Sequence, residues 1–267
     1  FLFYSPFHVL QGVVSFTIGA KKENFLQFVK NFSTNLFMRI GIICAIHKEL
    51  QYFNYSKNYI QKVGEKKFYK SILDKHELIL VQSGLGKVNA AVVSTLLIEK
   101  FECELLLFSG VAGGIDPEIE IGDVIIGYSL IQHDYGKLIN KELVTFRPGY
   151  FPIGESKNDI EYKLDPKIKR KIKSLRPNVR MGKIITGDLF LQCEETQKEL
   201  FEKFGADAID MEGAAVAQVA EQFSIPLIVV RCISDMADTE SQKSSSKFLN
   251  IAAKRSFNTA KEILEIL

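Results

Sequence analysis

The run Ile225-Pro226-Leu227-Ile228-Val229-Val230 is apolar throughout and continues into Arg231-Cys232-Ile233-Ser234-Asp235. A short apolar run without polar alternation is the mark of a strand covered on both faces, as in a parallel sheet packed between helices. The pattern recurs along the chain. Ile40 to Ala45 reads as a first buried strand. Phe68 to Leu73 and Leu78 to Gln82 read as a pair of strands around Asp74-Lys75-His76. Leu105 to Phe108, Val124 to Ile131 and Lys183 to Thr186 follow. Helical patterns cover Val88 to Ile98, Leu164 to Leu175, Glu194 to Phe204, 212–223 and 246–266, and 134–160 is expected to be a long loop region. This alternation predicts an α/β fold: a single domain with a central mixed, mostly parallel β-sheet flanked by helices. At 267 residues and 46% hydrophobic content, the chain can bury one large core of that kind.

Open α/β sheets place their chemistry at the carboxyl ends of strands. Two strand ends here carry acids. Ala208-Ile209-Asp210-Met211-Glu212-Gly213-Ala214-Ala215 ends an apolar run and opens a small-residue helix, and the run through Val230 ends on Asp235. Carboxylates so placed point to an acid–base site. Glycine-bearing turns are expected at Ser83-Gly84-Leu85-Gly86-Lys87 and at Ser109-Gly110-Val111-Ala112-Gly113-Gly114, where backbone N–H groups can approach a ligand closely. Neither fits a dinucleotide or triphosphate fingerprint. Taken singly, each residue also has a plainer reading. Glu49 would start a surface helix, Asp235 would cap a helix N-terminus, and Met211 and Phe190 would be core.

Bulk properties remove other classes. A net charge of +2 gives no global drive towards nucleic acid or a membrane surface. Cys44, Cys103, Cys193 and Cys232 form no Cys-x-x-Cys pair and read as thiols of the core. His8, His47, His76 and His133 have no metal-ligand spacing, so no metal and no cofactor are expected.

Residues 1–37 stand apart from the domain expected over 38–267. Phe1 to Ala20 holds no Lys, Arg, Asp or Glu and is interrupted by Pro6 and Gly12. Three readings stay open: a secretory leader, a membrane anchor, or an extension outside the working protein. Residues 21–37 would form a short connecting helix. An exported or membrane-associated protein follows from the first two readings and a cytoplasmic one from the third.

Met38-Arg39-Ile40-Gly41-Ile42-Ile43-Cys44-Ala45-Ile46-His47-Lys48-Glu49 resembles the opening of the 5′-methylthioadenosine/S-adenosylhomocysteine nucleosidases, members of the purine nucleoside phosphorylase/uridine phosphorylase superfamily. Further matches follow in order: Ser83 to Ala91, Ser109 to Gly114, Gly122-Asp123-Val124, Gly187-Asp188-Leu189-Phe190, Met211-Glu212 and Arg231 to Asp235. The resemblance implies a nucleoside phosphorylase-like fold. It implies hydrolysis of the adenine–ribose bond of 5′-methylthioadenosine and S-adenosylhomocysteine, with 5′-deoxyadenosine as a further substrate, through an oxocarbenium-like state. On the same resemblance, Asp235 is the general acid at adenine N7 and Ser234 orients it. Glu49 is the base that activates water, and Glu212 holds the ribose hydroxyls. Met211 packs on the sugar beside Ile46, which replaces a common Met. Arg231 and Ser83 help order the water and Glu212. Phe190 stacks on adenine, whose edge the Leu191 backbone reads. A homodimer is implied as well.

One departure concerns the 5′ end of the substrate. Many relatives close over the alkylthio group with a Phe, and counting from Asp235 puts Ser245 there, within Ser241-Gln242-Lys243-Ser244-Ser245-Ser246. Selectivity for methylthio groups is expected to weaken. Two alternatives remain. A phosphorylase would need cations near the first strand end, where the charge of Glu49 repels phosphate. An exported binder of anionic polysaccharide would use Lys163 to Lys183, which holds nine basic residues and one acid, although a solvated helix face accounts for the same charges.

Overall fold

In the computed structural model of the chain, the described residues are 37–53, 58–153, 159–175 and 179–267. The leader-like segment and all of the expected 21–37 helix except Phe37 lie outside them.

The chain opens with β1 (Arg39–Cys44), α1 (His47–Leu50) and a 3-10 turn at Gln51–Phe53. An antiparallel unit follows: β2 (Asn58–Val63), β3 (Lys66–Leu73) and β4 (His76–Gln82). Then come α2 (Lys87–Glu99), β5 (Leu105–Gly114) and β6 (Val124–Gln132). The hairpin β7 (Gly136–Ile139) and β8 (Glu142–Thr145) precedes β9 (Tyr162–Lys163), α3 (Pro166–Leu175) and β10 (Arg180–Thr186). The chain closes with α4 (Glu194–Phe204), β11 (Ala208–Asp210), α5 (Gly213–Phe223), β12 (Leu227–Asp235) and α6 (Ser241–Ile266).

The strands order as β11-β10-β6-β12-β5-β1-β4-β3-β2, with β9 added to β6. β1 pairs in parallel with β4 and β5, and β5 in parallel with β12. β12 meets β6 antiparallel, so the sheet is mixed as expected. The far strand, β11, also pairs antiparallel with β5, through Ala208 with Gly114 and Ile209 with Gly113. The strands β5, β12, β6, β10 and β11 therefore close into a ring, and β1, β4, β3 and β2 extend from it as an open wing.

Helices cover both faces. Ala90, Val93 and Leu97 of α2 and Ala214, Val216 and Ala217 of α5 share one core with Ile43, Leu106 and Val229. Ile168 and Ile172 of α3 and Ala260 and Ile263 of α6 share the other with Ile40, Leu107 and Ile228. Each such Ile, Leu or Val, fully withdrawn from water, contributes about 1.5–3 kcal/mol. Gly41 sets how closely α2 approaches the sheet. A Cβ there would stand 2.8 Å from Leu106 Cδ2 and 2.9 Å from Leu97 Cδ1.

Three expectations change. Ser109 to Gly114 is not a turn, because β5 runs straight through it. Its glycines serve close approach: a Cβ on Gly110 would lie 2.7 Å from Glu49 Oε1, and one on Gly113 would lie 3.1 Å from Asp235 Oδ1. The region 134–160 is not all loop. It holds the β7–β8 hairpin, whose turn residues Asn140 and Lys141 both adopt positive φ, at 49° and 72°. That is the backbone of a tight two-residue hairpin, normally signalled by Asn-Gly and concealed here by lysine. Lastly, α6 starts at Ser241 rather than 246, so the serine-rich segment is helical.

Among the described residues, no helix is long and apolar enough to cross a membrane.

Candidate active site

β1 delivers the chain to α1, whose third residue is Glu49. Its side chain turns back: Oε2 accepts the Ala45 and Ile46 N–H groups at 2.8 and 3.0 Å, and Oε1 accepts the Val111 N–H of β5 at 2.9 Å. At 4% exposure, Glu49 is no surface residue. Burial raises its pKa above the ordinary glutamate value, against the opposing pull of Arg231 and the three N–H donors.

Asp235 ends β12 at a bulge. Ile233 pairs with Ala112 and Asp235 with Gly113, so Ser234 is the extra residue. A bulge re-aims the side chain that follows it. Ser234 Oγ donates to Asp235 Oδ2 at 2.8 Å, and the Ala237 N–H donates to Oδ1 at 3.1 Å. Burial again dominates and raises this carboxyl above its ordinary value. The helix-cap reading does not hold, since α6 begins six residues later at Ser241.

Glu212 sits between β11 and α5. Gly86, at the N-terminus of α2 with φ 92°, donates its N–H to Glu212 Oε1 at 2.9 Å. Burial, followed by the negative charge of Asp210, raises Glu212 to about 7. Asp210 is held elsewhere. Arg231 Nε donates to its Oδ2 at 2.9 Å, Thr186 Oγ1 donates to its Oδ1 at 2.6 Å, and the two charged side chains are each 1% exposed. The Arg231 guanidinium lies 3.9 Å from the Phe108 ring centroid.

These elements enclose a cavity of about 310 Å³. Ile46, Glu49, Phe190, Leu191, Met211, Glu212, Ser234 and Asp235 all line it. Arg231 and Ser83 do not, which alters their expected contribution. Arg231 is engaged by Asp210, and the fully buried Ser83 donates its hydroxyl to Gly84 O at 2.8 Å. Phe190 is half exposed, an aromatic face open to whatever enters.

The expected close-approach segment of β5 also lines the cavity, together with Leu249, a residue the sequence did not single out. Val111, Ala112 and Gly113 form a backbone wall, and Leu249 stands one helical turn beyond Ser245, with both facing the cavity. The signal for Leu249 was available, because residues four apart share a helix face. It needs α6 to begin at Ser241, so that Ser245 lies within the helix.

Residues 39–265 match the family model described as Phosphorylase superfamily. A 5′-methylthioadenosine/S-adenosylhomocysteine nucleosidase of Mycobacterium bovis is 35% identical over 250 residues, spanning 85% of this chain and 97% of that protein. One from Staphylococcus haemolyticus is 32% identical, spanning 85% and 100%. The chain belongs to this nucleosidase family. Its fold matches too. The S-adenosylhomocysteine nucleosidase of Streptococcus pyogenes, solved with 5-methylthiotubericidin, superposes with a TM-score of 0.74 at 33% identity over 86% of this chain and 97% of that one. A futalosine hydrolase of Helicobacter pylori gives 0.75 at 29% identity over 86% and 98%.

Four carboxylates line the cavity, and with Asp210 engaged by Arg231 the other three divide by environment. Glu49 is bound by backbone N–H donors alone, Asp235 by a hydroxyl and an N–H, and Glu212 by a single N–H. Glu212 therefore has the most unused acceptor capacity facing the cavity.

Proposed function

We propose that this protein hydrolyses the N-glycosidic bond of 5′-methylthioadenosine and S-adenosylhomocysteine, and also of 5′-deoxyadenosine, releasing adenine and the 5-substituted ribose. The observation that carries this reading is the meeting of Asp235, Glu49 and Glu212 in one buried cavity beside the open ring of Phe190.

Burial raises the pKa of Asp235 above its ordinary value, the direction a proton donor needs. It protonates adenine N7 as the C1′–N9 bond breaks and the bonding pair moves into the purine. Glu49 takes a proton from water, whose oxygen attacks the cationic anomeric carbon. Each such group contributes about 10²–10⁴ in rate. Glu212 accepts from the ribose hydroxyls. Arg231 acts from behind, moderating the charge of Glu49 and Glu212. Phe190 and Leu191 hold the base. Ser245 and Leu249 stand on the wall assigned to the 5′ substituent, where a short serine leaves room for groups of different size.

A homodimer fits the surface beside the site, where Leu85, Val88, Leu189 and Phe190 are all more than half exposed. An apolar surface of this kind marks an interaction site. The polyanion reading gains little by comparison. On α3, Ile168 and Ile172 face the core, Lys169 covers the Tyr128 ring at 4.8 Å, and Lys171 caps the Leu267 carbonyl at 2.8 Å. Those charges fit a solvated helix face.

The test is adenine release from both thio-nucleosides with and without phosphate. Phosphate-independent release supports the hydrolase. Strict dependence on phosphate would move the chain to the phosphorylases and leave Glu49 without its role.

A further inference from the structure

Beside the cavity, outside its lining, three charged residues close a ring through side chains and backbone N–H groups. Lys87 Nζ donates to Asp134 Oδ1 at 2.6 Å, the Lys87 backbone N–H donates to Asp188 Oδ1 at 2.8 Å, and the Asp188 N–H donates to Asp134 Oδ2 at 3.0 Å. The Lys87 and Asp134 side chains are 19% and 21% exposed, sheltered enough for the pair to matter more than an open surface contact. Burial alone would raise Asp134, yet Lys87 and the Asp188 N–H hold it below its ordinary value.

The ring joins three separate parts of the fold. Lys87 is the first residue of α2 and follows Gly86, the donor to Glu212. Asp134 lies just past β6. Asp188 follows β10 and precedes Leu189, Phe190 and Leu191, the apolar wall of the cavity. A long way apart in sequence, the grip on Glu212 and the aromatic wall thus share one anchor.

We propose that Lys87, Asp134 and Asp188 act as a positioning clamp, holding the Gly86 N–H on Glu212 and the Phe190 wall in register across the substrate cavity. The proposal rests on the nucleosidase reading for its substrate but not for its geometry. Loosening the clamp frees both sides together. Base binding weakens as the wall loses its place. Glu212 loses the N–H that lowers its pKa and is left to burial, Asp210 and Glu49, which raise it, with Arg231 alone opposing.

The test uses the full chain with Lys87→Met, Asp134→Asn, the double variant and Lys87→Arg. Three quantities are read: adenine binding by calorimetry, kcat/KM for 5′-methylthioadenosine from pH 5 to 9, and thermal melting. Lys87→Met should weaken adenine binding by about tenfold and move the acid limb of kcat/KM to higher pH. Lys87→Arg should recover part of both. The double variant should be little worse than either single one, since the first change already breaks the ring. A protein that binds adenine without releasing any from the nucleoside would sink the hydrolase reading, leaving the clamp to stand or fall on the binding ratios. Wild-type binding and an unmoved acid limb in Lys87→Met would overturn the clamp. So would losses that merely follow the melting temperature and add independently.

Discussion

Arg231, from behind the cavity, meets Asp210 of its wall at 2.9 Å, each side chain 1% exposed. This pair is the electrostatic floor of the site. Breaking a buried ion pair by neutralising one partner strands the other charge and costs about 3–5 kcal/mol. Asp210→Asn is therefore expected to lose that much stability in urea unfolding. A loss below about 1 kcal/mol would mean that water or Glu212 takes over the partnership.

The same floor governs how stability depends on pH. Folded, Glu212 keeps its proton up to about pH 7. Unfolded, a glutamate releases it near its ordinary value of about 4.3. Between those values the folded state binds more protons, so stability falls as pH rises through the window and levels off above it. Glu212→Gln has no proton to release. Its urea midpoint should fall less than wild type between pH 5 and 8, and its advantage should be greatest at pH 8. Parallel pH dependence in the two proteins would place the raised pKa elsewhere.

Catalysis should fail from either side of the scissile bond. Asp235→Asn and Glu49→Gln are each expected to lower kcat for 5′-methylthioadenosine by about 10²–10⁴. The two differ in pH profile. Asp235→Asn should lose the alkaline limb, because its proton is the one that must be present. Glu49→Gln should lose part of the acid limb. Measured rates across pH 5 to 9 separate the roles, and an alkaline limb that survives in Asp235→Asn would assign the acid to another group.

Selectivity should follow α6. Ser245→Phe adds an aromatic ring to the wall shared with Leu249. The ratio of kcat/KM for 5′-methylthioadenosine over S-adenosylhomocysteine should rise about tenfold, since a few buried carbons discriminate at that scale. An unchanged ratio would show that the 5′ group leaves the cavity by another side.

Much of this arrangement was legible beforehand, for physical reasons. Ile40 to Cys44 and Ile228 to Val230 are buried on both faces, and strands of that kind declare themselves as unbroken apolar runs. Glu212 and Asp235 stood out as acids at strand ends, whereas Glu49 was pointed to only by the family resemblance. What stayed hidden depends on pairing between distant segments. The bulge at Ser234 exists only against Ala112 and Gly113, and the glycines of β5 look like a turn until Glu49 and Asp235 occupy the space they leave. Arg231 could be recognised by resemblance, but its engagement with Asp210 needed the fold. Asn140-Lys141 lacks the glycine that normally announces a hairpin.

The pairing of β11 with β5 gives the molecule a hoop. Asp235 and Glu212 leave from strands or strand ends of that hoop, so neither can shift along the rim without straining its neighbours. Chemical precision is thereby separated from substrate tolerance. Natural or laboratory drift in the 188–191 segment and the first turns of α6 can reshape what enters, while the distance between Asp235 and Glu212 stays fixed by the hoop. A chain built this way can change its diet without relearning its reaction.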